Sequence, residues 1–401
     1  MYVQLTTTRA NSISWGQGAS DRGKTDWFSV FVKWLESVSK QKVYGKNGCV
    51  PASPASYMVV CLELYVEPDV DLVFIEYVFN DGLDNKVVDN HVVIAMEQLV
   101  RRLMALPGHP AVVLVQVPHV RRTELLPFHQ TSEDLEGALA AYYGLSTVSL
   151  RNSLFPLNVV QPTSGYLFNE TYPEHHPGDS GHKMIADLAV HLIQETALGL
   201  MTNPVRQAEE EAWGRPLADP PMYLGNFPPE TSSCIAGERF RSQVLSHKGW
   251  EWVNEGTEEK PKWGYVTTTS GSSLLVRVNT TQGSTLDAAT LANATMPVIV
   301  QFLRSYTRDM GFAVVRCVEG CSCKDHPISG WHTLPFSETG MTGMAVRLTP
   351  GFTSCDLLFN VTDKRRNNGG HKFKLIGVVT TAVGYDFSAT YRPSSWHIPD
   401  K

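Results

Sequence analysis

Apolar positions in the first half of the chain fall into two kinds of run that alternate. Residues 26–39 set Trp27, Val30, Phe31, Trp34 and Leu35 at helical spacing, which predicts an amphipathic helix. Residues 70–77, Val-Asp-Leu-Val-Phe-Ile-Glu-Tyr, are apolar almost without interruption, as in a strand covered on both faces. A helix over 91–106, a second buried strand over 111–117, a helical stretch around 135–143 and a short strand over 147–150 follow. A last helix over 181–198 lines up Ile185, Leu188, Ala189, Leu192 and Ile193. Strands alternating with helices build a parallel sheet with helices on both faces, so an α/β fold is expected here.

Past about residue 200 the pattern changes. Residues 202–233 carry Pro204, Pro216, Pro220, Pro221, Pro228 and Pro229 and read as a linker or strap. Short apolar or alternating runs then recur at 264–268, 273–278, 297–302, 313–318, 344–348, 356–361 and 372–379, with Gly, Pro and Asn between them. Such strands without helices predict an antiparallel β-sandwich. The expected division is an α/β domain over 1–200, a linker over 201–233 and a sandwich over 234–401.

With 401 residues, 42% of them hydrophobic, the chain is long and apolar enough for two cores. A net charge of −6 gives no polyanion-binding signal, and the basic run Lys364-Arg365-Arg366 is short enough to be a solvated loop, so nucleic acid is not an expected partner. No uninterrupted apolar run is long enough to cross a membrane. Of seven cysteines, Cys234, Cys317, Cys321, Cys323 and Cys355 lie in the second half. Their Cys-x3-Cys-x-Cys cluster lacks the Cys-x2-Cys spacing and the histidines of a zinc site. Disulfides are therefore expected over metal, with one thiol left over because the count is odd. Sequons at Asn169, Asn279, Asn293 and Asn360 point, with the cysteines, to a secreted glycoprotein. The opening residues 1–8 oppose that lean, having neither a basic nor an apolar leader region. Their three threonines also make a poor buried strand, so the first strand of the sheet is expected to be missing or replaced.

In an open parallel sheet, loops at the carboxyl ends of the strands converge on one site. Four stretches suit that placement. The first is Ala10-Asn11-Ser12-Ile13-Ser14-Trp15-Gly16, and the second is the loop over 47–56, which holds Gly48 and Ala52. The third, Val78-Phe79-Asn80-Asp81-Gly82, ends the strongest strand. An asparagine amide there can donate to a developing oxyanion, which a carboxylate cannot. The fourth, Glu174-His175-His176-Pro177 with Gly181-His182, precedes the last helix and offers an imidazole as general base. Taken singly, each stretch is an ordinary turn or helix start.

Taken together and in this order, they resemble the blocks of SGNH (GDSL-type) hydrolases over roughly the first half of the chain. The whole-chain arrangement also resembles plant and green-algal members with a C-terminal β-rich domain. The resemblance implies a three-layer α/β/α, flavodoxin-like domain and a carboxylic ester hydrolase. In it Ser12 would be the nucleophile and His176 the base, with Glu174 as its partner. The oxyanion hole would comprise the Ser12 N–H, a loop N–H at Ala52 or Gly48, and the Asn80 amide. Alanine at 10 and 52, valine at 78 and proline at 173 depart from the family pattern, which has glycine at the first three and an acid at the last. A literal Asp-x-x-His, Asp179 to His182, is the alternative acid and base, with His182 placed to cap or open the helix. No metal or cofactor is called for. The implied substrate is a small ester or an O-acetylated carbohydrate, and a glycan-binding protein without catalysis is the alternative.

A second motif competes. Residues 18–25, Gly-Ala-Ser-Asp-Arg-Gly-Lys-Thr, match the phosphate-loop pattern and precede a helix. However, residues 12–17 before it make a poor buried strand, and the strongest later strand ends in Glu76 where such proteins use a metal-binding aspartate. Nucleotide binding through Lys24 is thus the lesser alternative.

Overall fold

The computed structural model describes residues 2–6, 12–50, 53–78, 86–117, 128, 130–157, 171–173, 176–206, 220–258, 261–280, 294–334, 336–366, 369–389 and 391. Two units emerge, one within Met1–Pro228 and the other Pro229–Pro393.

The first unit contains a parallel sheet of β1 (Tyr2–Thr6), β2 (Tyr44–Asn47), β3 (Leu72–Ile75), β4 (Ala111–Gln116) and β5 (Ser146–Ser149). Their order is β2-β1-β3-β4-β5, and each described pairing is parallel. This is the flavodoxin-like doubly wound order, in which the chain reverses direction across the sheet between β1 and β3. The helices are α1 (Ser12–Trp15), α2 (Trp27–Ser39), α3 (Ala55–Cys61), α4 (His91–Met104), α5 (Ser132–Tyr143), α6 (Leu150–Phe155) and α7 (Asp179–Thr202). Leu72 and Phe74 of β3 join one core with Trp27, Phe31 and Leu35 of α2 and Ile185, Ala186 and Ala189 of α7. Val73 and Ile75 point to the opposite face and are equally buried, so both sides of β3 are covered.

Two expectations are corrected here. Tyr2–Thr6 is a strand after all, paired in register with both β2 and β3. Its Tyr, Val and Thr content favours extended backbone, and two neighbours supply the ladder that an apolar pattern alone does not reveal. Helix α7 is long and apolar enough, by length and composition, to cross a membrane, although no uninterrupted apolar run suggested it. Its first half lies against the sheet instead, with Gly181, His182, Ile185, Ala186 and Ala189 buried.

Part of the proline-rich stretch is anchored. The fully buried Glu97 carboxylate of α4 accepts from Tyr143 Oη at 2.6 Å, Tyr223 N at 3.2 Å, Asn226 Nδ2 at 2.7 Å and also Met222 N. Gln98 Nε2 donates to Asn226 Oδ1 at 2.7 Å. Residues 222–226 are thus a strap on α4.

The second unit is an antiparallel sandwich. One described sheet orders β14 (His326–Ser329), β12 (Phe312–Glu319), β16 (Ser354–Val361), β10 (Ser273–Asn279) and β7 (Val244–Lys248). The other orders β13 (Cys321–Ser322), β15 (Glu338–Leu348), β11 (Thr295–Arg304), β17 (Phe373–Thr381), β9 (Trp263–Thr267) and β8 (Glu251–Asn254), with β6 (Ser232–Ala236) also on β17. Alternate residues face inward, Leu274, Val276, Leu357 and Phe359 from the first sheet meeting Val298, Val300, Phe302 and Val346 from the second. Disulfides Cys317–Cys323 and Cys321–Cys355 consume the cysteine cluster, and the latter ties β13 of one sheet to β16 of the other. The sulfurs that sit close enough to hold a metal are thereby spent in S–S bonds.

Candidate active site

The carboxyl ends of the strands at the reversal between β1 and β3 are the usual place for a ligand in such sheets. Three loops follow these strands. After β1, Ser12 opens the short helix α1, which ends in a turn where Gly16 N donates to Ile13 O at 2.9 Å. After β2, the Asn47 side chain donates from Nδ2 to Ser14 O at 2.8 Å and accepts from Cys49 N at 3.1 Å. Gly48 between them is buried. After β3 comes Glu76, fully buried, whose Oε2 accepts from Ser14 Oγ at 2.7 Å. Trp27 Nε1 at the start of α2 donates to the same Ser14 Oγ at 3.0 Å. Ser14 therefore joins the ends of β2 and β3 and the start of α2 to the turn that carries Ser12. Burial pushes the Glu76 carboxyl up to about 8, against a smaller lowering by Ser14. Ala52, Asn80 and Glu174 lie outside the described residues.

His176 lies three residues before the amino end of α7. Gly18, with φ +91°, runs directly against it: a Cβ built there falls 2.2 Å from Pro177 O and 3.0 Å from His176 Cβ. Only glycine permits that approach and that φ without strain. Gly181 closes the other side, where a Cβ falls 2.5 Å from both Pro177 Cβ and Thr171 O. The loop after Ser12 and the segment bearing His176 are thus in contact along their backbones.

The alternative pair has other work. Asp179 accepts from Ser20 N at 2.8 Å, Ser20 Oγ at 2.6 Å and Thr25 Oγ1 at 2.9 Å. The Ser20 hydroxyl is the main cause that lowers its pKa. His182 accepts at Nδ1 from Trp27 N at 3.3 Å, which leaves the proton on Nε2 to donate to Gln17 O at 3.1 Å. Desolvation lowers its pKa, so the ring is held neutral with both nitrogens engaged. Asp179 and His182 hold the loop over 17–27 through these bonds.

The same loop excludes the phosphate-binding reading. A phosphate cradle needs unspent backbone N–H groups. Here six amides already have acceptors: Ala19 on Gly16 O, Ser20 on Asp179, Asp21 on Thr25 Oγ1, Gly23 on Asp26, and Lys24 and Thr25 on Asp21 O. Lys24 Nζ pairs with Asp21 at 2.8 Å. Three carboxylates, Asp21, Asp26 and Asp179, surround the loop and would repel a phosphate. A four-residue helix and a turn, rather than a strand, lead into it.

Sequence reasoning missed the node formed by Ser14, Glu76, Trp27 and Asn47. The one available signal was a glutamate and a serine at positions where an apolar strand and a helix would otherwise stay apolar.

No family model matches the chain, and no curated protein matches it in sequence. Among solved structures it is similar to a two-domain esterase active on acetylated mannans, with TM-score 0.64, 17% identity and coverage of 95% of this chain and 91% of that one. A crystal of a two-domain esterase active on acetylated mannans grown with mannopentaose gives TM-score 0.61 and 16% identity over 96% and 92%. The chain shares their two-part fold, an α/β unit followed by a sandwich, over nearly its whole length.

Proposed function

We propose that the protein is a carboxylic ester hydrolase acting on acylated carbohydrate, with Ser12 as nucleophile and His176 as general base. The observation that carries this reading is the backbone contact between the Ser12 loop and His176-Pro177, through Gly18, at the reversal of the sheet. The fold shared with an esterase active on acetylated mannans supports the substrate class.

Ser12 Oγ attacks the ester carbonyl carbon as its proton passes to the His176 imidazole. Charge gathers on the carbonyl oxygen, for which the Ser12 N–H, an N–H at Gly48 or Ala52 and the Asn80 amide are the proposed donors. Collapse breaks the bond to the sugar oxygen, which leaves with the proton from His176. Water, deprotonated by the same imidazole, then releases the acid and restores Ser12. Glu174, next to the proline at 173, is the candidate to orient the imidazole.

The test is fluorophosphonate labelling with the adduct located by peptide mass spectrometry, alongside acetate release from acetylated mannan. An adduct on Ser12 that is lost in His176→Ala is expected. An adduct on another serine, or none on folded protein that still binds the polysaccharide, overturns the reading in favour of a non-catalytic glycan binder.

A further inference from the structure

We propose that Glu76 is a positioning residue for Ser12, acting through Ser14 to fix the nucleophile turn against the end of β3. The proposal rests on the reading of Ser12 as nucleophile, but it concerns a residue that no sequence block contains.

Helix α1 spans only Ser12–Trp15, too short to hold its own geometry. The placement of this turn therefore depends on whatever pins Ser14, two residues after Ser12. Among the described residues, three side chains do so. Asn47 holds its carbonyl from β2, and Trp27 donates to its hydroxyl from α2. Glu76 Oε2 accepts a hydrogen bond from that hydroxyl at 2.7 Å. With Trp27 Nε1–H, a donor only, on Ser14 Oγ, the hydroxyl hydrogen is available for Glu76. Of the three, Glu76 alone directly follows β3, in the stretch of sequence that leads to Asn80. It is the link that sets the nucleophile turn against the loop proposed to bind the oxyanion.

The energetics point away from a purely structural role. Glu76 is fully buried, and its Oε1 has no hydrogen-bond partner among the described residues. An orphaned buried polar atom costs roughly 1–3 kcal/mol, and an apolar residue would continue the strand without that cost. Burial raises the carboxyl to about 8, so at neutral pH the side chain is the acid and works as an uncharged acceptor. Desolvation is the cause of that rise, and the Ser14 hydrogen bond opposes it. Glutamine offers the same acceptor in the same volume, and leucine offers neither acceptor nor charge.

The experiment compares the full chain with Glu76→Gln, Glu76→Leu and Ser14→Ala, using 4-nitrophenyl acetate kinetics, fluorophosphonate labelling rate at Ser12 and hydrogen exchange of the amides of residues 13–17. Expected are a kcat lower by on the order of 10- to 100-fold in Glu76→Leu with KM within about twofold, as for a misplaced reacting group. Labelling should slow by the same factor, and Glu76→Gln should keep most of the activity. Wild-type kcat in folded Glu76→Leu overturns the proposal, as does equal damage from Gln and Leu. Should Glu76→Leu not fold, Ser14→Ala must reproduce the fall in kcat, and an unchanged kcat there overturns it. Absence of any Ser12 adduct in the wild type defeats the nucleophile reading separately. Exchange then decides the positioning: faster exchange at 13–17 in Leu but not Gln supports it, and unchanged exchange in both overturns it.

Discussion

At the carboxyl edge of the parallel sheet, Ser14, Glu76, Asn47 and Trp27 hold three loops together through directional hydrogen bonds, whereas the sandwich is closed by interleaved aliphatic side chains and the Cys321–Cys355 bond between its sheets. Each device suits a different task. A hydrogen bond fixes two atoms to within tenths of an ångström and answers to pH. A disulfide acts mainly on the unfolded chain and places nothing for chemistry. The α/β unit relies here on buried polar side chains, some only partly satisfied among the described residues. The other relies on connections that tolerate no titration but depend on oxidising surroundings.

That contrast can be tested from its strongest consequence downwards. Glu97→Ala, which strips the acceptor from two amides, Asn226 and Tyr143, is expected to destabilise the first unit by on the order of 3–5 kcal/mol. Calorimetry combined with hydrogen exchange should show the loss in that unit, with the sandwich unchanged. Replacing Cys321 and Cys355 together by serine should do the reverse, lowering sandwich stability by about 2–4 kcal/mol in denaturant titration and leaving Ser12 labelling intact. A third prediction follows from Glu76, whose carboxyl rises from 4.5 in the unfolded chain to about 8 in the fold. Between those values the native state binds the extra proton. Its stabilising contribution is complete below about 4.5 and disappears as the pH climbs towards 8. Relative to Glu76→Gln, the wild type should lose up to about 1.4 kcal/mol of stability per pH unit across that window. Parallel pH curves for the two proteins would refute this. The smallest effect belongs to Lys24→Ala. Lys24 is exposed and pairs only with Asp21 among the described contacts, so melting temperature and Ser12 labelling should stay as in the wild type. Addition of ATP or GTP should move neither protein.

The layers of the fold were legible wherever burial leaves an apolar signature. Leu72–Ile75 is buried on both faces and reads as a strand from its composition alone. β2, with the sequence Tyr-Gly-Lys-Asn, shows no such pattern, because its exposed or half-buried side chains say nothing of the ladder it makes with β1. The same holds for Tyr2–Thr6, where pairing with two neighbouring strands outweighs a short and weakly apolar pattern. In the site, His176 and Gly18 stood in recognisable motifs. Asp179 and His182 were visible as a spacing, but which groups they serve depends on contacts with residues more than 150 positions away. The Ser14–Glu76 bond joins residues 62 apart, and no local periodicity reports it.

The strap on α4 also bears on where this chain can be divided. Glu97 and Gln98 take partners from residues 222–226, well past the end of α7 at Thr202. A fragment ended near residue 200, where the sequence pattern changes, would leave a carboxylate and an amide facing an empty groove on α4. One carried through Pro228, the boundary of the first unit, keeps them covered. An α/β unit meant to be produced alone, or fused to another module, should be cut after the strap.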